Sequence, residues 1–306
     1  MRQISALGAL LLFGACAQAP GNGPQFTQAA LLQESHPLAG TIWDVGADLA
    51  IDQRTLARRL DQADIVILGE VHDNPRHHIR QADLVAALEP GGLAFEMVPE
   101  ASEEGIAVFQ AQGAEPGEIG PAIGWDRLGW PDWDLYAPIF EAAPDARITG
   151  GAVATSTLRR AMSEGAAAAF DGDAARYGLT IRPDAATQRV LEDEMIVAHC
   201  NKLPRDAAGR MAEAQRLRDA RFANAVERAR GSNDQAVLIT GNGHARTDRG
   251  VPAYLARSNP DLLVAALGQV EVEAGANEPS AYGDLAYDYV WFSARVDRPD
   301  PCAAFN

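Results

Sequence analysis

The chain has 306 residues, 47% of them hydrophobic, with 26 Lys and Arg against 42 Asp and Glu, a formal net charge of −16 at pH 7. That length suits one large α/β domain or two small ones. An acidic surface with no offsetting Lys/Arg stripe repels phosphate backbones, so nucleic acid is excluded as an expected partner.

Residues 1–15 read as an export signal: Arg2 is a minimal positive region, an apolar stretch runs from Ile4 to Phe13, and Gly14-Ala15-Cys16 closes it with small residues. The apolar run is too short to span a bilayer, which takes about 20 such residues. It resembles a bacterial lipoprotein signal in which Cys16 is the lipidated residue, with Phe13 where Leu is usual. An ordinary secretory signal with an incidental Cys is the alternative. By the same resemblance, Ala17 rather than Asp after the Cys fits an outer-membrane lipoprotein facing the periplasm. Acyl chains anchor such a protein without a transmembrane helix. Residues 16–40 then read as a tether, Pro- and Gly-rich at their start, ahead of a single domain over 41–302.

Within the domain, apolar β runs alternate with helical periodicity, the pattern of an α/β fold with a mainly parallel sheet flanked by helices. A first strand is expected over 65–71. Asn74 and Pro75 then start a helix to about residue 88, Asn capping free amides and Pro sitting where no amide is needed. Gly91-Gly92 turn into a second strand over 93–98, followed by a helix over 101–112. The segment 117–144 breaks the alternation and holds Trp125, Trp130, Trp133 and Tyr136. A short helix over 133–143 leads to a third strand at 147–153. Residues 158–230 read as helical, with long members at 185–199 and 207–230, and are expected as a cap inserted between strands three and four. The fourth strand, 235–240, runs into Gly241-Asn-Gly-His-Ala-Arg246. A helix over 252–257, a fifth strand at 262–267 and a last β run at 287–295 complete the domain.

With Cys16 assigned to the anchor, Cys200 and Cys302 remain, and two leftover cysteines in an oxidising compartment are expected to pair. Neither has the spacing of a zinc site.

Three strands end in ionisable groups: Glu70 and His72 after the first, Glu96 in the second, His244 and Arg246 after the fourth. In a parallel sheet these ends share one edge, where ligands bind in open α/β folds. Two imidazoles and two carboxylates are a ligand set for a divalent cation such as manganese, zinc, cobalt or iron. The same set can also perform general acid/base chemistry without metal. Structural alternatives stand beside each: Glu70 as a helix cap, His72 as a buried imidazole bonded to a carbonyl, Glu96 as a charge at a strand's wet end. His77 and His78 are either surface histidines or ligands. Trp130, Trp133 and Tyr136 are either core and lid or a platform for a flat apolar ligand with a polar rim.

The segments Leu-Gly-Glu70-Val-His72-Asp-Asn-Pro-Arg-His77-His78, Ala-Phe-Glu96-Met, Gly-Trp130-Pro-Asp-Trp133-Asp-Leu-Tyr136, Ala-His199-Cys200, Arg218-Asp219-Ala, Gly241-Asn-Gly-His244-Ala-Arg246 and Tyr-Val-Trp291-Phe are co-linear over nearly the whole domain. Here the chain resembles the ChaN-type haem-binding uptake lipoproteins of the wider Tiki/TraB/erythromycin-esterase-like superfamily. The resemblance implies a haem- or iron-handling lipoprotein that binds haem as a homodimer. It also implies a superfamily of hydrolases and metalloproteases that use the positions of Glu70, His72, Glu96 and His244.

Two readings follow. In the first, the protein binds haem at a pocket over the carboxyl ends of the sheet, contacted by His72, His77, His78, Trp130, Trp133, Tyr136 and Arg246. Arg76, Arg80 and Arg246 supply cations for the propionates, and spacing selects no axial ligand among Tyr, His and Met. In the second, it is a metal-dependent peptidase or esterase built on Glu70, His72, Glu96 and His244, whose metal lowers the pKa of a bound water. No nucleophile-elbow Ser or HExxH pattern supports a better-known hydrolase class.

Overall fold

A computed structural model describes residues 31–232, 234–300 and 302–303; the expected signal, Cys16 and the first part of the tether lie outside them. Ten strands are present among the described residues: β1 (Leu31–Leu32), β2 (Ile42–Asp44), β3 (Leu49–Ile51), β4 (Ile65–Glu70), β5 (Gly92–Pro99), β6 (Arg147–Ala152), β7 (Ala236–Gly241), β8 (Val264–Glu271), β9 (Tyr289–Ser293) and β10 (Arg295–Val296). Eight of them form one sheet in the order β3-β2-β9-β8-β4-β7-β5-β6, while β1 pairs with β10. From β9 through β6 every pairing is parallel, and the antiparallel β2 and β3 close one edge. The architecture is thus the mainly parallel α/β sheet that the sequence pattern implies.

The central strands are apolar on both faces because helices cover both. Val66, Leu68, Phe95 and Ile239 pack with Leu84, Tyr136 and Phe140 on one side. Ile65, Ile67, Ala94 and Leu238 pack with Leu217, Ala223 and Val226 on the other. Helix Pro75–Leu88 begins as expected: the Asn74 side chain accepts from the Arg76 amide, and Pro75 occupies the first turn.

The segment expected as a helical cap divides in two. Helix Arg205–Arg230 is the crossover to β7, and its buried Ala212, Leu217, Ala220, Ala223 and Val226 lie against the sheet layer. Helices Thr155–Glu164, Ala166–Ala169 and Ala185–Ala198 pack against that helix. The reason is the stripe itself: small residues at helical spacing let a long helix approach the sheet closely, so it is not left as an outer layer.

Cys200 and Cys302 form a disulfide with Cα atoms 5.5 Å apart, joining the end of helix Ala185–Ala198 to the C-terminal tail. The same tail places Arg298 against Asp73 (2.7 Å) and Glu271 (2.6 Å). No helix among the described residues is long and apolar enough to cross a membrane.

Candidate functional site

The register of the three inner strands builds the site. β7 lies between β4 and β5, with Glu70 opposite Gly241 and Phe95 opposite Ile239. All three carboxyl ends therefore meet at one edge. Alternation then divides the polar groups: Glu70 follows Val66 and Leu68 onto one face, whereas Glu96 follows Ala94 onto the other. The four expected residues are accordingly gathered as two separate pairs that adjoin only around Gly241, which has no side chain. A Cβ there would lie 3.0 Å from His72 Nε2 and 3.7 Å from Glu96 Oε2.

On the first face, buried Glu70 presents Oε1 to the His72 ring (2.7 Å to Nδ1) and to the Tyr136 hydroxyl (3.0 Å). Its Oε2 faces His78 Nδ1 at 3.4 Å, and neither of those two atoms has a hydrogen-bond partner among the described residues. His78 Nε2 donates to the His72 carbonyl (2.9 Å), so His78 braces both the carboxylate and the backbone of His72. Burial opposes ionisation of Glu70, but the adjacent His78 and His72 outweigh it and hold the carboxyl below its ordinary value. For His72, burial disfavours the charged ring, yet the Glu70 hydrogen bond and charge, reinforced by Glu96, keep its pKa above the usual value. The His72 ring stands 4.9 Å from that of Trp130, and among the described residues its Nε2 has no hydrogen-bond partner.

On the second face, the β5–β7 ladder ends at Phe95, and the Glu96 side chain takes over: its Oε2 accepts from the Gly241 amide (2.9 Å) and the Thr240 hydroxyl (2.7 Å). His244 sits on a short helical turn just after β7, its Nδ1 2.6 Å from Asp219 Oδ1 and its Nε2 3.7 Å from Glu96 Oε1. Burial works against the His244 imidazolium, but Glu96 and Asp219 together raise its pKa above the ordinary value. Asp219 was not among the expected site residues. Its signal was a charged side chain in an apolar stripe, since it stands seven residues from both Ala212 and Val226 on the buried face of its helix.

Three further residues expected at the site are already engaged within the fold. His77 is fully buried: Nδ1 accepts from the Val71 amide (2.8 Å) and Nε2 donates to Ser293 Oγ (2.7 Å), which caps the end of β4 and leaves no free nitrogen. Burial, with Arg80, His78 and Arg298 nearby, holds its pKa well below the ordinary value, so it is neutral. Trp133 is buried against Trp125 and Phe140 and donates to the Pro116 carbonyl, a core role. Tyr136 is likewise buried, and burial with the Glu70 charge pushes its phenol far up, so it acts on Glu70 as a neutral donor.

A cavity of about 630 Å³ opens beside Glu96, walled by Met97, Leu128, Trp130, Val153 and Phe222. Its cations are Arg127, Arg218 and Arg221, not the expected Arg76, Arg80 and Arg246. Those three are engaged elsewhere: Arg76 with Glu34, Arg80 over the Trp291 ring and on the Phe292 carbonyl, Arg246 on both oxygens of Asp248. As for metal, Glu70 Oε1 and Glu96 Oε2 already carry protein hydrogen bonds. Among the described residues no group of three or more His, Cys, Asp or Glu is disposed to hold an ion. Glu70, His72, Glu96 and His244 thus form acid–base pairs across an edge, not the converging shell expected of one cation.

Comparison with known proteins agrees with this fold. The sequence matches the family described as haem-binding uptake, Tiki superfamily, ChaN, over residues 56–255. A structure described as cofacial heme binding to ChaN of Campylobacter jejuni is 18% identical, with a TM-score of 0.63 over 82% of this chain and 95% of that one. A second, of the type III effector HopBA1, is 13% identical with a TM-score of 0.42 over 88% of this chain and 99% of that one. No curated protein sequence matches. With its family match spanning well over half its length, the chain belongs to the ChaN family of haem-binding uptake proteins in the Tiki superfamily.

Proposed function

We propose that this chain binds haem in the cavity over the carboxyl ends of β5 and β6. The observation that carries the reading is the apolar-walled cavity of about 630 Å³, whose Trp130 ring stands 4.9 Å from that of His72. The residues present fit the group: the volume lies in the range of small-molecule sites, the walls are aromatic and aliphatic, and arginines line part of the rim. A bound haem would supply an iron that accepts a protein ligand and a macrocycle that absorbs in the Soret region. The chain's own part is binding and orientation. Glu70 accepts from His72 Nδ1–H and so orients the ring, and His72 would be the residue to hold the iron through its other nitrogen. Trp130 and Phe222 exclude water from the apolar rim.

The wider setting belongs to the same proposal. The chain is exported, anchored to the outer membrane through a lipidated Cys16, and handles haem on the periplasmic side. The Cys200–Cys302 disulfide supports an oxidising compartment. A homodimer that brings two haems together follows the cofacial binding described for the Campylobacter protein. Haemin titration tests the reading: a shifted Soret band that saturates at a fixed stoichiometry is expected from the wild type. Spectra that remain those of free haemin at every ratio would remove it.

A second reading is favoured by one specific observation. Two histidines with raised pKa values, each beside a carboxylate, adjoin across Gly241. Such pairs can exchange protons with a substrate, which is the equipment of general acid/base hydrolysis of an ester or peptide. Hydrolysis that disappears in His244→Ala while haem binding persists would establish it alongside the first.

A further inference from the structure

A second cavity, of about 380 Å³, lies between helices Ala185–Ala198, Arg205–Arg230 and Val251–Ser258 and shares no wall residue with the first. A row of side chains separates the two: Asp219 lines the second, Glu96 lines the first, and His244 stands between them. Four arginines and three aspartates reach the second cavity. The aspartates are largely spent within the fold. Asp184 caps its helix through the Ala186 and Thr187 amides (both 2.9 Å), Asp219 takes His244 (2.6 Å), and Asp248 takes Arg246 and Arg249. Among the arginines, Arg216 holds Glu213 (2.7 Å) and Arg249 holds Glu194 (2.8 Å). The other two have no carboxylate among the described residues: Arg257 gives one nitrogen to the Ala253 carbonyl (3.0 Å), and Arg182 makes no side-chain hydrogen bond or ion pair. Arg257 is nevertheless held in place. Its guanidinium stands 5.5 Å over the Tyr254 ring, and its stem crosses Gly178, where a Cβ would lie 2.5 Å from Arg257 Cδ. Tyr254 is only 6% exposed, and its hydroxyl, which Arg216 faces as a donor, finds no acceptor for its own proton among the described residues.

We infer that this cavity is a second binding site, for a small oxyanion whose carboxylate or phosphate oxygens are held by Arg182, Arg257 and the Tyr254 hydroxyl. Apart from one oxygen of Asp219, the side-chain groups left over are donors, so the occupant must supply acceptors. A guanidinium fork matches carboxylate and phosphate alike, and a buried phenol adds a neutral donor beside it. The volume falls near the lower end of the range for small-molecule sites. The site is independent of haem in the first cavity.

The test is calorimetric titration of the full chain, free of haem, with inorganic phosphate and with citrate. At least one of the two should give heat that saturates at one per chain, and which one does so tells a phosphate source from a carboxylate source. Arg182→Gln and Arg257→Gln should each weaken that binding about threefold to tenfold, and Tyr254→Phe about threefold. Arg189→Gln, exposed on helix Ala185–Ala198 and outside the cavity, should leave it unchanged. Absence of saturable heat from both probes overturns the site. So does wild-type affinity in both Arg182→Gln and Arg257→Gln, or an Arg189→Gln loss equal to that of Arg182→Gln, which would reduce the effect to diffuse surface charge. Arg182 is exposed, so its variant keeps the test available even if Tyr254→Phe fails to fold.

Discussion

His72 Nδ1 lies 2.7 Å from Glu70 Oε1, two residues back along the same extended backbone. The carboxylate therefore takes one ring nitrogen and leaves the other, Nε2, as the reactive one. The same relationship serves both functional readings, because a ring oriented in this way can ligate iron or move a proton. It also gives the first prediction. Glu70→Gln should keep the fold but weaken haemin binding about tenfold to a hundredfold, the usual cost of losing a ligand's supporting carboxylate. His72→Ala should abolish the Soret shift. Spectra of both variants that overlay the wild type would remove His72 from the site.

Gly241 separates the two imidazole–carboxylate pairs. Its φ of −62° is open to any residue, so alanine is acceptable to the backbone. A Cβ there would stand 3.0 Å from His72 Nε2, and the ring must give way by a few tenths of an ångström. Gly241→Ala is expected to change stability by less than about 1.5 kcal/mol, in the range of small overpacking effects. It should impair haemin binding far more than it shifts the unfolding midpoint. Unchanged affinity would show that Nε2 is not where the ligand approaches.

His77 links the site to the acid sensitivity of the fold. Its pKa is depressed in the folded chain, so the unfolded state binds the proton more readily. The resulting stability is present above the unfolded value of about 6.5 and is lost as pH falls toward the folded value. His77→Gln removes the titration while leaving Val71 or Ser293 short of a partner, at a cost of about 1–3 kcal/mol at pH 7. Denaturant titrations at pH 7 and pH 5 should therefore show a smaller acid-induced loss in the variant. A loss equal to that of the wild type would place the acid sensitivity in the Glu70 and Glu96 carboxyls.

The disulfide closes a loop with a sequence separation of 102, for which the chain-entropy model gives about 4–5 kcal/mol. Thiol counting on denatured, unreduced protein made in an oxidising compartment should find neither Cys200 nor Cys302 free. Cys302→Ser should lower stability, and it should also raise amide exchange around Asp73, because the tail carries Arg298 against that residue. Exchange unchanged at Asp73 would mean that the Arg298 clamp holds without the bridge.

Long periodic elements were legible from the sequence, and short ones were not. Strand β4 and helix Pro75–Leu88 lie where their apolar runs and the Asn74-Pro75 cap put them. Strands β1 to β3 and helix Pro116–Ile123 passed unread, because two or three residues carry no period and a helix with an internal Pro121 looks like a loop. For the site, one edge for Glu70, His72, Glu96 and His244 follows from parallel strands. Their division between faces depends on register, which no single strand encodes. Asp219 and the cavity arginines come from helices far away in sequence. Arg246 drew notice for its place after β7, but Asp248, two residues on, occupies its guanidinium.

The central claim, haem at the carboxyl ends of the sheet, is tested most directly by a structure of the full chain with haemin. The account predicts density for the macrocycle against Trp130 and Phe222, iron at His72 Nε2, and propionates turned toward Arg218 and Arg127. Haem seated elsewhere, such as on the exposed Val190 and Val197 of helix Ala185–Ala198, with the cavity beside Glu96 left open, would contradict it.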